Sequence, residues 1–387
     1  MKVLLIGHSY LAEENQKQLT SLSQHVTVEV ASPRTSRGMI FNYDVAENAI
    51  LGQGWRIRLY DKLVPPKFPE AAYIFKSLTL GLRKFQPDVV HIEGDPFTPF
   101  FLQSFLYARL WSAQAKIVCT VKQNTYTSRG MLGDAIKDFV TRQLVPHVDR
   151  FITVNRGVAE IYRDRFGADP ERMTYCTHLG VDTELFSPWD DVARKKSLSH
   201  FSLERGAALI GYCGRLVDYK GVSDLVTAVE LLRSRSQRDY RLALLGDGPM
   251  REELAARARH TPWLYLLPPI PHAEVAQFLK GLDLFVMPPR ILPWHVEHDA
   301  HALLEAMATG LPCIATRCGA IEDVLPGVGV LVDPEQPESL SDAIGELLVD
   351  NERASRLGKD GCTRITEEYS LKSVAEAYLH VYRQVLG

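Results

Sequence analysis

Apolar residues along this chain fall into short unbroken runs, separated by longer segments in which they recur every three or four positions. An unbroken run of four to six apolar residues is the mark of a strand buried on both faces of a parallel sheet, and the longer period marks an amphipathic helix. In the first half the runs lie at 3–6, 26–30, 89–92, 117–121 and 151–154. The helical segments between them lie at 12–22, 100–110, 134–144 and 158–166. A second series has runs at 209–213, 240–245, 264–267, 284–287, 313–315 and 328–332, with helical segments at 222–232, 340–348, 354–368 and 374–386. Regular alternation of this kind predicts an α/β chain with doubly wound parallel sheets. Two such series in 387 residues predict two domains. Three stretches fit less well. Residues 32–69 are rich in Arg, Gly and Pro with little period and read as loops facing a ligand. Residues 71–85 read as a helix, with Tyr73, Ile74, Phe75, Leu78 and Leu82 on one side and Lys76, Arg83 and Lys84 on the other. It is either a core helix with a solvated basic face or an interfacial helix touching a membrane. Residues 189–205 are polar and charged and read as a linker or a loose first element.

Chemistry-bearing residues cluster where predicted strands end. The run at 209–213 meets Gly214, then Arg215, Lys220 and Gly221, before a helix begins. Ligands of open α/β sheets bind at the carboxyl ends of strands, and two permanent cations there suit a diphosphate, both bound and as a leaving group. Glu297 and Glu305 stand with seven residues between them, the first in a polar loop and the second on a helix that stops at Gly310 and Pro312. The free amides at that helix start, around Ala300, His301 and Ala302, suit a phosphate, and the carboxylates suit hydroxyls. Phosphate with hydroxyls points to a nucleotide sugar. Gly246 and Gly248 after the 240–245 run keep a second loop small.

Taken in order, Gly180-Val-Asp182 with Phe186 and Pro188, Gly214-Arg-Leu through Lys220-Gly221, Gly246-Asp-Gly-Pro249, and Glu297 through Glu305-Ala-Met-Ala-Thr-Gly-Leu-Pro312 resemble the retaining family-4 glycosyltransferases of GT-B fold. So does the segment from Tyr369 to Glu376. The resemblance is specific from about residue 176 onward. It implies two Rossmann-like domains facing across a cleft: an acceptor-binding domain over 1–183, with the terminal helix 369–387 packing back on it, and a nucleotide-sugar domain over 184–368. It implies a front-face displacement in which Arg215, Lys220 and Glu297 serve catalysis. Gly214, Gly246, Gly248, His298, Ala300, His301, Ala302 and Glu305 would bind the donor, with Glu305 on the ribose, and the base would meet the main chain around 267–270. The acceptor or sugar side would be lined by Gly7, His8, Asp95, Lys122 and Asn124. A UDP-sugar is expected first and a GDP-sugar second, and the acceptor is a glycan, a lipid-linked glycan or a small molecule. The nucleotide sugar is a substrate, so no cofactor is expected, and relatives need no metal for donor binding.

This chain departs from the family in three places. His298-Asp299-Ala300 replaces a glycine-rich stretch, Lys122 to Tyr126 stand where relatives carry a histidine, and the loop at Gly7-His8-Ser9 lacks the Gly-Gly stretch of many relatives. The first two departures keep alive a catalytically silent nucleotide-sugar binder as an alternative, beside another activity on the same fold such as a sugar-phosphate synthase or an epimerase. His295, His298 and His301 recur every three residues, but across a loop-to-helix junction that spacing does not force convergence on a metal.

Composition removes other classes. The net charge of −3 gives no nucleic-acid signal. It is unevenly spread, with 22 Lys and Arg against 18 acids over residues 1–183 and 22 against 29 beyond. A mildly basic first half fits an anionic acceptor or a peripheral contact with the inner membrane face. The single glycine after the first run, in Gly7-His-Ser-Tyr, argues against a dinucleotide fingerprint. Six cysteines without a Cys-x-x-Cys pair suggest a reducing compartment, and the first run is too short for a secretory signal, so a cytoplasmic protein is expected.

Overall fold

The structure, a computed structural model, describes residues 1–37, 42–64, 73–123, 125, 130–203 and 206–387. The chain divides into two units, Met1–Gly180 with Leu371–Gly387, and Val181–Ser370.

The first unit is built on an eight-stranded sheet. From one edge its strands run Met173–Tyr175, Arg150–Thr153, Lys116–Val121, Val89–Glu93, Lys2–Ile6, Thr27–Pro33, Trp55–Tyr60 and Ala49–Leu51. All neighbours pair parallel except the last two. The central strands are mostly apolar because helices cover both faces, and Val3, Leu4, Leu5 and Ile6 have no exposed surface, although His91, Glu93 and Thr120 are buried among them. The order reverses beside Lys2–Ile6, which pairs with Thr27–Pro33 on one side and Val89–Glu93 on the other. That reversal is the switch point at which such sheets open a crevice. The Leu371–Leu386 helix belongs to this unit. It buries Val374, Tyr378, Leu379, Val381 and Tyr382 in a cluster with Val3, Leu5, Leu19 and Val118.

The second unit has a six-stranded parallel sheet in the order Leu264–Leu267, Tyr240–Leu245, Ala208–Cys213, Leu284–Met287, Cys313–Thr316, Val330–Val332. Its switch point lies between Ala208–Cys213 and Leu284–Met287. Helices Val222–Arg235 and Pro337–Val349 cover one face, and His272–Leu279 and His301–Ala308 bury their apolar sides on the other.

Three expectations are corrected. No helix runs through 73–81. Ile74–Phe75 pairs antiparallel with Lys62–Leu63, Leu80 and Gly81 both take positive φ, and only Leu82–Phe85 is helical. Tyr73, Phe75, Leu80 and Leu82 are buried, so tertiary pairing overrides the helical spacing and no interfacial helix forms there. Of the two readings of 189–205, a first element is the one found and the linker is not, because Asp190 caps an Asp191–His200 helix by accepting from the Ala193 amide, and Arg194 pairs with Asp283. Within 32–69, Trp55–Tyr60 is a strand with Trp55, Ile57 and Leu59 inward. No helix among the described residues is long and apolar enough to cross a membrane.

Candidate active site

At the switch point of the second unit, the Ala208–Cys213 strand runs into Gly214, whose amide donates to the Leu245 carbonyl at 3.0 Å. The next amide bonds tie this loop to its neighbour, Leu216 donating to the Asp247 carbonyl and Met250 to the Leu216 carbonyl. The two loops touch so closely that a Cβ at Gly246 would lie 1.9 Å from the Gly214 carbonyl oxygen, and one at Gly248 would lie 2.4 Å from that of Leu216. Only glycine fits there, and Gly246 also takes a φ of +148°. Arg251 locks the same loop from outside, donating to the Gly246 and Leu267 carbonyls.

Arg215 and Lys220 are half-buried in the loop that leads to the Val222–Arg235 helix. Arg215 donates to the Tyr219 hydroxyl and lies over its ring, and the Tyr219 ring sits 4.2 Å from that of His295. Lys220 forms an ion pair and hydrogen bond with Glu297, both largely buried. Glu297 is further fixed by its backbone, its carbonyl accepting from the Ala320 amide. Arg290 braces the arrangement through Asp218 and Asp224. Burial pushes the His295 imidazole down to about 4, with Glu297 opposing and Lys220 reinforcing that shift, so the ring is neutral at ordinary pH.

The loop then enters the His301–Ala308 helix through Ala300, which is fully buried with a φ of +46°. The first intrahelical bonds come from the Leu303 and Leu304 amides, both to the Ala300 carbonyl, so the amides of His301 and Ala302 precede the helical ladder. Glu305, in the second turn, is 4% exposed. Its carboxylate accepts from His272 at 2.5 Å, with His301 at 3.7 Å. It also acts electrostatically on Cys213 at the end of the neighbouring strand. Two buried polar atoms of the entry loop, His295 Nε2 and Asp299 Oδ1, have no hydrogen-bond partner among the described residues. Buried polar atoms are rarely left so, and a ligand is one way to complete them. His298 is half-buried with its ring 5.9 Å from that of His295. No group of three or more His, Cys, Asp or Glu among the described residues is arranged to hold a metal ion.

Arg215, Lys220, Glu297, Glu305, the Gly214 and Gly246 loops and the Ala300–Ala302 amides thus share one end of one sheet. His272 and Tyr219 were not singled out from the sequence. His272 opens its helix right after Pro271, a position that can be read from sequence as a helix start, but its partner lies 33 residues away.

The residues expected on the acceptor side lie in the first unit. Gly7 and exposed His8 follow Lys2–Ile6 at the switch point, and Lys122 follows Lys116–Val121. Gly7 makes room for Glu93, since a Cβ there would lie 2.6 Å from Glu93 Oε2. Asp95 accepts from the Tyr162 hydroxyl at 2.9 Å and its carbonyl accepts from Thr98, so it organises its own turn. Asn124 lies outside the described residues.

Two family models match, one for each half. The model described as Glycosyltransferase Family 4 covers residues 19–185, and that described as Glycosyl transferases group 1 covers 195–364. A D-inositol 3-phosphate glycosyltransferase of Corynebacterium glutamicum is 30% identical over 57% of this chain and 53% of its own length. An alpha-maltose-1-phosphate synthase of Mycolicibacterium smegmatis is 27% identical over 65% and 67%. The chain therefore spans between about half and two thirds of these relatives. Anabaena HepE, solved in complex with UDP, superimposes with a TM-score of 0.70 at 13% identity, over 99% of this chain and 100% of that one, a likeness of fold. With GT-B architecture in both sheets and a family model on each half, the chain belongs to the group 1, family 4-type glycosyltransferases.

Proposed function

We propose that this protein transfers a sugar, with retention of anomeric configuration, from a nucleotide sugar held by the second unit to a hydroxyl of an acceptor. The observation that carries this reading is the convergence of two cations, a helix N-terminus and two buried carboxylates on one switch point. Arg215 and Lys220 take the diphosphate, helped by the His301 and Ala302 amides. Glu305 takes the ribose hydroxyls, exchanging its bond to His272 for them. Glu297, already holding Lys220, meets the sugar hydroxyls. Gly214, Gly246 and Gly248 let the nucleotide approach the main chain, and His298 lies on the sugar side.

The chemistry is a front-face displacement. The bond from the anomeric carbon to the phosphate oxygen breaks, and a bond to the acceptor oxygen forms on the same face. The acceptor proton passes to the departing phosphate oxygen, and the nucleoside diphosphate leaves with its charge on Arg215 and Lys220. Rate enhancement comes from positioning and from cations preorganised for the leaving group. A UDP-sugar is the donor favoured, with a GDP-sugar second. The UDP named in the HepE complex supports that order. The acceptor is a glycan, a lipid-linked glycan or a small molecule, and the site of action is the cytoplasm. The name of the maltose-1-phosphate relative favours one second reading, sugar-phosphate synthesis at the same site.

A panel of UDP-, GDP- and ADP-sugars, read by thermal shift and nucleotide release, tests the proposal. Stabilisation by one donor with slow release of its nucleotide is expected. Binding without release under any acceptor tried would favour a silent binder. Rapid release on adding a free sugar phosphate would favour the synthase.

A further inference from the structure

The crevice at the switch point of the first unit is floored by a chain of titratable groups that the proposed donor chemistry does not use. Tyr10 donates to Glu93 Oε1 at 2.7 Å. Glu93 Oε2 faces His178 Nε2 at 3.2 Å, an ion-pair distance without hydrogen-bond geometry, and neither atom has a hydrogen-bond partner among the described residues. On the far side of the ring, Lys122 Nζ lies 2.9 Å from His178 Nδ1. The Glu93 and His178 side chains are 1% and 2% exposed, whereas Lys122 is only half-buried. Behind them His91 bridges Thr120 and Tyr382, and the Tyr378 hydroxyl donates to the His178 carbonyl.

The order of these groups fixes their protons. A lysine ammonium can only donate, so Nδ1 of His178 must carry a lone pair and Nε2 must carry the hydrogen that faces Glu93. Burial alone would raise the Glu93 carboxyl, but the facing His178 ring and the Lys122 ammonium hold it well below the usual carboxylate range. The carboxylate is therefore ionised, and its charge is matched at the other end of the chain by the ammonium. Of the three donors of Lys122, one is used by His178, and the other two have no partner among the described residues. Lys62 acts together with Lys122 on the His8 ring.

We propose that Tyr10, Glu93 and His178 are positioning residues that aim the Lys122 ammonium at an oxyanion group of the acceptor, a phosphate monoester being the class that suits two free donors and a second nearby cation. The inference rests on the glycosyltransferase reading for the word acceptor, but not for the chain of bonds. A half-buried lysine otherwise loses its geometry to side-chain entropy and water. Here the ring holds it by a directional bond, and the buried carboxylate holds the ring.

The test uses the full-length protein, histidine labelled with 15N, and inorganic phosphate as the probe. In the unliganded wild type, His178 should show an unprotonated Nδ1 and a protonated Nε2, and the Nδ1 resonance should move as phosphate is added. Phosphate affinity, read by calorimetry, should fall at least tenfold in Lys122→Gln and in His178→Phe. It should return to within about threefold of wild type in His178→Gln, whose amide oxygen can accept from lysine while its N–H faces Glu93. A merely structural histidine would not show that split between Gln and Phe. A protonated Nδ1 in the wild type, or phosphate binding unchanged by Lys122→Gln, overturns the proposal. A UDP titration of the wild type runs beside it. Absence of UDP binding would count against the glycosyltransferase reading, while the His178 tautomer and the phosphate affinities would still decide the positioning chain.

Discussion

Lys220 and Glu297 form the residue pair on which the donor reading depends most. Each is largely withdrawn from water, and each is the other's charge partner. Removing one therefore does two things, leaving an unmatched buried charge and taking a charge from the diphosphate site. Lys220→Ala should lower nucleotide release from the preferred donor by about a hundredfold to a thousandfold, the scale of one preorganised electrostatic donor. Lys220→Met keeps the stem and separates folding from chemistry. Turnover near that of wild type in a stably folded Lys220→Met protein would falsify the diphosphate assignment. His91 makes a second prediction at this scale. Burial holds its ring down to about 4, below its free value of 6.5, although Glu93 opposes the shift. The folded state thus binds fewer protons than the unfolded one. The stability that follows is complete above pH 6.5 and is lost as pH falls toward 4, on the order of 3 kcal/mol for a shift of this size. Denaturant unfolding between pH 4.5 and 7.5 should show that decline in wild type and a shallower one in His91→Gln. Parallel curves for the two proteins would remove His91 from the account. The partners of these residues could not be read from the sequence, because Lys220 and Glu297 are 77 residues apart and Glu93 and His178 are 85 apart. The residue types at strand ends were legible, and their pairing was a product of topology.

At the scale of elements, the unbroken apolar runs were legible because a parallel strand covered on both faces has no polar side to show. The strands Tyr240–Leu245, Leu264–Leu267 and Leu284–Met287 coincide with the runs that predict them. Edge and short elements were not legible in the same way. Trp55–Tyr60 alternates apolar residues with arginines, a period of two lost among the turn residues around it, and Asp191–His200 shows only a weak apolar stripe although Asp190 is a readable cap. The 71–85 stretch has helical spacing, yet Ile74 and Phe75 gain a strand partner that local sequence does not contain. The loops at the donor site behave as elements of their own, held by contacts between main chains. Gly246→Ala should cost about 1–3 kcal/mol of stability, from a positive φ and from a methyl 1.9 Å from the Gly214 carbonyl oxygen. Since the Gly214 loop must move to relieve that clash, affinity for the nucleotide should fall with it. Urea unfolding and a UDP titration measure the two effects. A variant with wild-type stability would mean that the loops can part at no cost, and the glycine would then have no packing role.

The whole molecule is two folding units in which chain order and spatial order differ at one place, the Leu371–Leu386 helix, which follows the second unit in sequence and belongs to the first. Val374, Leu379, Val381, Tyr378 and Tyr382 are essentially inaccessible in the cluster built on Val3 and Leu5. Full burial of a large apolar side chain stabilises by about 1.5–3 kcal/mol, so these five together match the roughly 5–15 kcal/mol net stability of a domain. The same helix supplies Tyr382 to His91 and Tyr378 to the His178 carbonyl, so it also backs the Lys122 chain. A protein ending at Ser370 should therefore lose the first unit and keep the second. Its thermal scan should retain the transition that UDP raises and lose or lower by more than 10 °C the transition that UDP leaves unmoved, a shift expected when several kcal/mol are removed from a domain of this size. Phosphate binding at Lys122 should disappear with that transition. Retention of both transitions would show that the first unit closes its core without the terminal helix, and the positioning chain would then have to be held by the sheet alone.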